Sequence, residues 1–472
     1  MAAEGKPSAI VAGPHNSQLA SVAVAGGAAL GGFLFGFDSS VINGAVDAIQ
    51  TKFHLSSGVV GFVVSSALLG CAVGAWFAGP LADRFGRIRV MVVAAVLFVI
   101  SSVGSALAFN AWDLMGWRIL GGLAIGAASV IAPAYIAEIS PAGLRGRLGS
   151  LQQLAIVLGI FAALLSDYAL AQVADGAGND VPWGGEAWRW MFATAAIPAV
   201  VYGVVALMIP ESPRYLVKKG RIQEATAVLR RFSGDEGVHE RISEIKRTVG
   251  ADRPARISDL RGSRLGLLPI VWVGILLSMF QQFVGINVIF YYSSTLWQSV
   301  GFTESQSMLT SVITSVVNIV ATLVAIALVD RVGRRPLLLV GAIGMAITLG
   351  TMATVFALAP VVDGKPQLGS FAGPLALVSA NLYVFAFACT WGPVVWVLLG
   401  EMFNNFIRTS ALAVAAAAQW LANWLITMTF PRLSETGLGL AYGLYTAFAA
   451  LAFVFVLKAV KETKGRELES MA

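Results

Sequence analysis

The chain has 472 residues, of which 57% are hydrophobic and only 12% charged, with a mean hydropathy of +0.77. Soluble domains carry about 25% charged residues, so a soluble globular protein is excluded and a polytopic membrane protein is indicated. The net charge of +6 does not point to nucleic acid, because the basic residues fall between apolar runs, where membrane orientation accounts for them.

Residues 1–19 are small and polar, with no charged start or cleavage site, and are expected to form a disordered cytoplasmic tail and not a signal peptide. Apolar runs then recur near 20–45, 58–82, 89–109, 113–137, 148–170 and 188–209. After a polar, basic stretch at 210–265 they resume near 266–295, 306–329, 336–358, 372–400, 409–430 and 438–459. A membrane-crossing helix takes about 20 residues, so the pattern predicts an all-α membrane protein with twelve spans. The expected division is an N-terminal six-helix bundle (20–209), a cytoplasmic helical linker (210–265), a C-terminal six-helix bundle (266–459) and a cytoplasmic tail (460–472). Within the linker, Ile222–Phe232 and Val238–Val249 carry apolar residues at helical spacing among Arg, Lys and Glu, and predict short amphipathic helices. The 50 glycines suit close packing of transmembrane helices.

Charge sets the orientation. With both termini cytoplasmic, the inner loops collect Arg84, Arg87, Arg89, Arg145, Arg147, Arg331, Arg334 and Arg335, while Lys52, Arg189, Lys365 and Arg432 fall outside. Cys71 and Cys389 lie within apolar runs and read as packing residues. His15, His54 and His239 lie outside the spans, so no histidine serves an intramembrane proton relay. No metal-ligand cluster, Ser/His/Asp set or nucleotide-binding glycine loop is visible; neither an enzyme nor a cofactor is expected.

The seventh run holds Gln281, Gln282 and Asn287, followed by Tyr291 and Tyr292. Lipid offers carboxamides no partner, so they must bond to protein or ligand. On a straight helix Gln282 and Asn287 would point about 140° apart. Gly285 between them permits local unwinding, and a broken helix can aim both at one cavity. Carboxamides donate and accept at once, which suits uncharged, hydroxyl-rich ligands. Hydrogen bonding between helices is the competing explanation.

The two halves repeat. Asp83-Arg-Phe-Gly-Arg87 after the second span matches Asp330-Arg-Val-Gly-Arg334 after the eighth. Glu138 precedes Arg145 by seven positions, as Glu401 precedes Arg408. Pro210-Glu211-Ser212 closes the sixth span and Lys461-Glu462-Thr463 the twelfth. Three paired signatures at matching places indicate an internal duplication of like orientation.

With Gly79-Pro-Leu-Ala-Asp83-Arg-Phe-Gly-Arg87, Arg118-Ile-Leu-Gly-Gly122, Pro133-Ala-Tyr-Ile-Ala-Glu138, Arg145-Gly-Arg147, Pro210-Glu-Ser-Pro-Arg214, Gln281 to Asn287, and Gly392-Pro-Val-Val-Trp396, the chain resembles the sugar porter family of the major facilitator superfamily from Phe35 to Glu469. The resemblance implies a secondary transporter of the cell membrane that imports a monosaccharide with a proton, like bacterial glucose, xylose or inositol permeases. It implies sugar contacts at Gln153, Gln281, Gln282, Asn287, Asn318, Gly392, Trp396 and Gln419, with Phe35 and Tyr291 as wall residues. An aromatic face such as Trp396 would pack on the C–H face of a sugar ring. A monomer is the expected working unit, and the bilayer, a sugar and a proton its only partners.

Asp38 in the first span and Arg118 in the fourth each cost about 2.5–3.5 kcal/mol mid-membrane on insertion scales, so pairing is economical. The resemblance makes Asp38 the proton carrier and Arg118 its modulator; a static salt bridge is the alternative. Asp167 is expected near the outer end of the fifth span, off the path. The resemblance further implies a cytoplasmic gate of ion-pair clusters built from Asp83, Arg84, Arg87, Glu138, Arg145, Glu211 and Arg214 on one side and Asp330, Arg334, Glu401, Arg408 and Glu462 on the other. These would close when the site faces outward and separate when it faces inward.

Four positions depart from the family pattern: Ile160 where xylose transporters carry a further sugar-binding Gln, Asn404 and Lys461 where proline is usual, and Ala195 where some proton-coupled relatives carry an acid. A uniporter of sugar or inositol and a non-transporting sugar sensor on the same scaffold are the other readings; the short tail disfavours the sensor. A drug exporter would favour an apolar cavity over amides.

Overall fold

The computed structural model describes residues 14–139, 145–233, 237–251, 257–262, 266–362, 365–403 and 407–463. Twelve helical spans are long and apolar enough to cross a membrane, as the hydropathy pattern predicts. The first half comprises α1 (Pro14–Phe53), α2 (Ser57–Phe85), α3 (Arg87–Ala106), α4 (Ala111–Ile139), α5 (Arg145–Ala174), and a sixth span formed by α6 (Ala187–Thr194) and α7 (Ala196–Met208). In the second half the seventh span is α11 (Pro269–Phe283) plus α12 (Ile286–Ser299), followed by α13 (Glu304–Val332) and α14 (Arg334–Ala357). The tenth span is α15 (Ala372–Cys389) plus α16 (Trp391–Met402), and α17 (Arg408–Thr436) and α18 (Leu438–Ala459) complete the half. Two-residue strands β1 (Val361–Val362) and β2 (Lys365–Pro366) pair antiparallel in the loop between the ninth and tenth spans.

Helix α1 starts at Pro14, inside the tail expected to lack order; proline suits the first turn because its missing N–H has no intrahelical partner there. The linker contains the two expected amphipathic helices, α9 (Ile222–Ser233) and α10 (Val238–Ala251), preceded by the short α8 (Pro213–Lys218). Leu216, Val217, Ala225, Leu229, Val238 and Ile242 give this segment an apolar core of its own. Valines, leucines and isoleucines such as Val93, Val96, Ile100, Leu207, Ile347 and Leu451 face outward, where lipid would meet them.

Within the first half α1 packs on α5 and α2 on α4; between halves α1 meets α12, α5 meets α13 and α2 meets α17. The last two contacts exchange when the repeats are exchanged (span five on eight, span two on eleven), as a pseudo-twofold axis requires.

The repeated motifs build two matching corners. Arg87 is 7% exposed and reaches Glu138 twice, Nε to Oε2 at 3.1 Å and Nη2 to Oε1 at 2.8 Å, while its Nη1 lies 3.0 Å from Asp83 Oδ1. In the other half Arg334 reaches Glu401 the same way, at 3.0 and 2.8 Å. Glu211 accepts the N–H groups of Arg87 and Ile88 at 3.1 and 3.3 Å; Glu462 accepts those of Arg334 and Arg335 at 3.1 and 2.9 Å. Each carboxylate thereby caps the start of a helix, where free N–H groups and the helix dipole favour an anion. The glycine of each motif makes room: a Cβ on Gly86 would stand 2.3 Å from the Glu211 carboxylate, and one on Gly333 2.9 Å from that of Glu462. Ser212 donates to Glu138 and Thr463 to Glu401, the latter at 2.6 Å, completing the correspondence.

These clusters staple helices within each half. Lys218 extends the first by bonding Asp83 at 3.0 Å, Arg84 stacks over Phe85 at 5.3 Å, and Arg214 is exposed on α8. The side chains of Arg145, Asp330 and Arg408 lie outside the described residues. Glu138→Ala strands a buried guanidinium and should destabilise the protein by about 3–5 kcal/mol. A thermal melt in detergent followed by tryptophan fluorescence checks this; an unchanged midpoint would mean that Arg87 does not depend on Glu138.

Candidate functional site

The seventh span breaks where the sequence predicts. Gly285 adopts φ +84°, and a Cβ there would stand 2.7 Å from the Tyr445 ring, so conformation and space both call for glycine. The Tyr383 hydroxyl donates to the Val284 carbonyl, freed by the break, at 2.7 Å. With the helix broken, Asn287 donates to Gln282 Oε1 at 2.5 Å, which a straight helix would not allow. Gln282 donates to Gln281 Oε1 at 3.3 Å, and Gln281 donates to the carbonyls of Trp391 and Gly392 at 2.9 and 3.1 Å. A chain of amides thus runs from Asn287 to the break in the tenth span.

That second break lies at Thr390 (φ −133°, ψ −85°), two residues before the Gly392-Pro393 pair that marks it in the sequence. Pro393 falls in the first turn of α16, where a missing N–H leaves nothing unsatisfied, so the pair follows the break. Trp391, fully buried, fixes the new helix by donating to the Leu338 carbonyl at 2.9 Å.

The other expected binding residues stand on neighbouring helices. Asn318 of α13 is buried, Gln153 of α5 and Gln419 of α17 are half-buried, and the Gln419 side-chain oxygen has no hydrogen-bond partner. Among the described residues none of these three bonds to the amide chain. Trp396 is 43% exposed, on the side of α16 away from the buried Trp391, Val394 and Leu398. Phe35 meets Trp420 edge-on at 5.6 Å across the two halves. Nothing in the sequence distinguished that tryptophan from a packing residue.

Asp38 and Arg118 face each other loosely. Asp38 Oδ1 is 3.9 Å from Arg118 Nη1, and Arg118 Nε and Nη1 make no hydrogen bond. The guanidinium lies 5.7 Å from the centre of the Phe192 ring. With Ser39, Cys71 and Tyr291 the pair lines a cavity of about 10 Å³, near the size that admits one water. Arg87, by contrast, makes two short bonds to Glu138. Ile160 is 9% exposed, and Ala195 is buried at the junction of α6 and α7.

Asp167 lies near the end of α5, seven residues before Ala174. It is 1% exposed, with Oδ2 accepting the Gly44 N–H at 3.3 Å and Oδ1 unpartnered, because glycine at 44 lets α5 come close to α1.

On the face opposite the chain termini the halves are fastened together. Asn43 of α1 donates to the Phe290 carbonyl at 3.0 Å and to Ser293 at 2.8 Å, and accepts the Ser294 N–H at 3.1 Å. Asp47, one turn on, accepts from Thr295 and Gln298 at 2.9 and 2.8 Å. Gln172 donates to Ser305, Ser57 to Glu435, and the Ala177 N–H to Glu304 at 2.8 Å. Asn43 and Asp47 carried no motif; an amide and an acid inside a long apolar helix were the available signal.

The family model described as "Sugar (and other) transporter" matches residues 24–472. The chain is 61% identical over 451 residues to a glucose transport protein of Synechocystis sp., covering 95% of this chain and 96% of that protein. It is 38% identical over 479 residues to the D-xylose-proton symporter of Escherichia coli, covering 94% of this chain and 93% of that one. The partially occluded, inward-open structure of the xylose transporter XylE from E. coli superposes with a TM-score of 0.81 at 36% identity, covering 96% of this chain and all of that one.

Gly285→Ala should push the Tyr445 ring and strain the left-handed backbone, costing about 1–3 kcal/mol and parting Asn287 from Gln282. Thermal stability in detergent, with sugar-induced quenching of tryptophan fluorescence, tests both effects; a variant with native stability would show that the break does not need glycine.

Proposed function

The chain belongs to the sugar (and other) transporter family, and we propose that it imports a monosaccharide, a hexose such as glucose, together with a proton by alternating access. The observation that carries this reading is the amide chain across two broken spans, close to a charge pair too loose to be a staple. Amides offer donors and acceptors to sugar hydroxyls without charge, and the bare Gln419 oxygen is an acceptor in wait of a donor. Each buried polar group that a wrong sugar leaves unpaired costs about 1–3 kcal/mol, so such a site selects by geometry.

Both termini lie in the cytoplasm in this proposal, as the arginine-rich loops favour. The fastened face is then the outer one, and the site looks inward. The glucose transport protein and the D-xylose-proton symporter among the relatives support hexose and proton respectively. Asp38 takes a proton from outside and releases it when the cycle turns inward and Arg118 approaches, since a nearby positive charge favours the carboxylate. Phe35, Tyr291, Trp396 and Trp420 form the apolar wall, and the working unit is a monomer.

A cytoplasmic gate is part of this proposal. Each ion cluster keeps its own half rigid, so the halves rock as bodies, and Arg145 and Arg408 are the residues proposed to bridge them when the site faces outward. A conformational change of this kind is driven only by a ligand that binds the two states unequally.

Gln282→Ala and Asn287→Ala should each weaken sugar binding by about 1–3 kcal/mol, roughly 5- to 150-fold in Kd, read by calorimetry on protein that still melts normally. Unchanged affinity in both would remove α11 and α12 from the site. Asp38→Asn mimics a permanently protonated acid: in proteoliposomes it should abolish accumulation driven by a proton gradient while sugar counterflow persists. Retained accumulation would rule out proton carriage by Asp38, and loss of counterflow as well would point to a structural Asp38–Arg118 bridge. A wild-type protein that ignores the gradient is a uniporter.

A further inference from the structure

We propose that Glu304 is a positioning residue of the transport cycle, whose carboxylate clasps the loop between the fifth and sixth spans and holds shut the face opposite the chain termini. Glu304 opens α13 in the second half, whereas Ala177 lies in the loop that follows α5 in the first. The Ala177 N–H donates to Glu304 Oε1 at 2.8 Å. Ala177 is 2% exposed, so its N–H depends on that carboxylate while the face is closed. Each half sets its own end of the bond. In the second, Glu304 is the first residue of α13, beside the Thr303–Gln306 capping box, where a helix start favours an anion.

The first half aims the N–H. Asp175 (φ +56°) and Gly176 (φ +132°) turn the chain back at the end of α5, and the Gly176 N–H returns to the Ala171 carbonyl at 2.8 Å. Asn179 pins this turn twice: its N–H donates to the Gly176 carbonyl at 3.2 Å and its Nδ2 to the Asp175 carbonyl at 2.5 Å. The Ala177 carbonyl accepts the Trp188 N–H at 2.9 Å, which fixes this peptide against α6. Further on, Glu186 is bonded by Lys52 of α1 at 2.8 Å and by Arg189 of α6 at 3.0 Å. Arg189 also donates to the carbonyls of Ala106 and Ala108, at the end of α3, at 2.9 and 2.8 Å. The loop is thus a stiff extension of the first half. Glycine at 176 admits the carboxylate, since a Cβ there would stand 3.3 Å from Glu304 Oε2.

Beside the clasp, Gln172 near the end of α5 donates to Ser305 in the first turn of α13; on the opposite side Ser57, at the start of α2, donates to Glu435 near the end of α17. Exchanging the repeats exchanges these two rim contacts, but the clasp is one-sided. The second half joins α17 to α18 through Gly437 alone, too short to reach across. Rocking about the middle of the membrane parts the rim most, and opening takes both Ala177 and Glu304 into water. A bond to an ionised acceptor is stronger than a neutral one, and this bond forms only when the face is closed. It therefore favours closure and sets how readily the face reopens. Its place in the cycle rests on the alternating-access reading above, whereas the closure itself does not.

The test is the rate at which a hydrophilic maleimide alkylates Ser293→Cys on full-length protein in lipid nanodiscs, with Cys71→Ala and Cys389→Ser removing the native thiols. Ser293 bonds Asn43 of α1 and Ser311 of α13 and is buried while the face is closed, so the rate follows the open fraction even when that fraction is small. Glu304→Ala should raise the rate at least about fivefold. Glu304→Gln loses the charge but keeps an oxygen for the Ala177 N–H, and should raise it only about twofold. Glu304→Asp keeps the charge but withdraws the oxygens by one methylene, and should raise it at least about threefold. A melting midpoint in detergent equal to the parent's separates opening from unfolding; if Glu304→Ala melts early, Glu304→Asp decides. The proposal is overturned if neither Glu304→Ala nor Glu304→Asp labels faster than the parent, or if Glu304→Gln labels as fast as Glu304→Ala while Glu304→Asp stays at the parent's rate, which would assign the effect to charge. Labelling needs neither sugar nor a proton gradient, so a lack of uptake would count against the proposed function and leave this result standing.

Discussion

A membrane helix cannot be interrupted without providing for the peptide groups that the interruption frees, and the rest of this structure depends on how that demand is met. Lipid supplies no hydrogen bonds, so each freed group must find one inside the protein. The seventh span breaks at Gly285, and Tyr383 reaches across from the tenth span to the Val284 carbonyl. The tenth breaks at Thr390, and Gln281 reaches back to the carbonyls of Trp391 and Gly392. The two broken spans are therefore tied to each other. The same bonds orient Gln282 and Asn287, so the polar lining is a by-product of repairing the helices as much as a decoration added to them.

The second organising element is the contrast between two kinds of arginine. Arg87 and Arg334 are surrounded by short, directed bonds that tie three helices at a corner, and breaking either pair leaves a stranded charge. Among the described residues Arg118 meets only a distant carboxylate and an aromatic ring, and two of its nitrogens make no hydrogen bond. Rigid corners and one under-satisfied charge near the middle are what a machine of two rocking bodies requires: stiffness where parts must not deform, and incompleteness where the state must be able to change.

Much of this was legible in the residues. Twelve apolar runs read directly as spans, because lipid imposes one length on them all. Gly285 among three amides marked a broken helix, since only a break relieves their angular spread. What periodicity does not carry is the identity of the partner across an interface. Asn43 and Asp47 belong to no motif, and their bonds to Ser293, Ser294, Thr295 and Gln298 arise only when the halves meet. The close fit of Asp167 was hidden for the same reason: the glycine that admits it stands on another helix. The tenth-span break at Thr390 lies two residues ahead of Gly392-Pro393, because proline suits the start of the helix that follows.

The carboxylate caps bear on how the protein is made. The corner that begins α3 is completed by Glu211, 124 residues later, and the corner that begins α14 by Glu462, 128 residues after Arg334. During synthesis from the N-terminus, each corner therefore waits with open N–H groups until the segment after the last span of its own half emerges. Neither waits for the other half. The duplication gives the nascent chain two assembly units of moderate length, each with its caps supplied from its own half, and the linker helices lie between them.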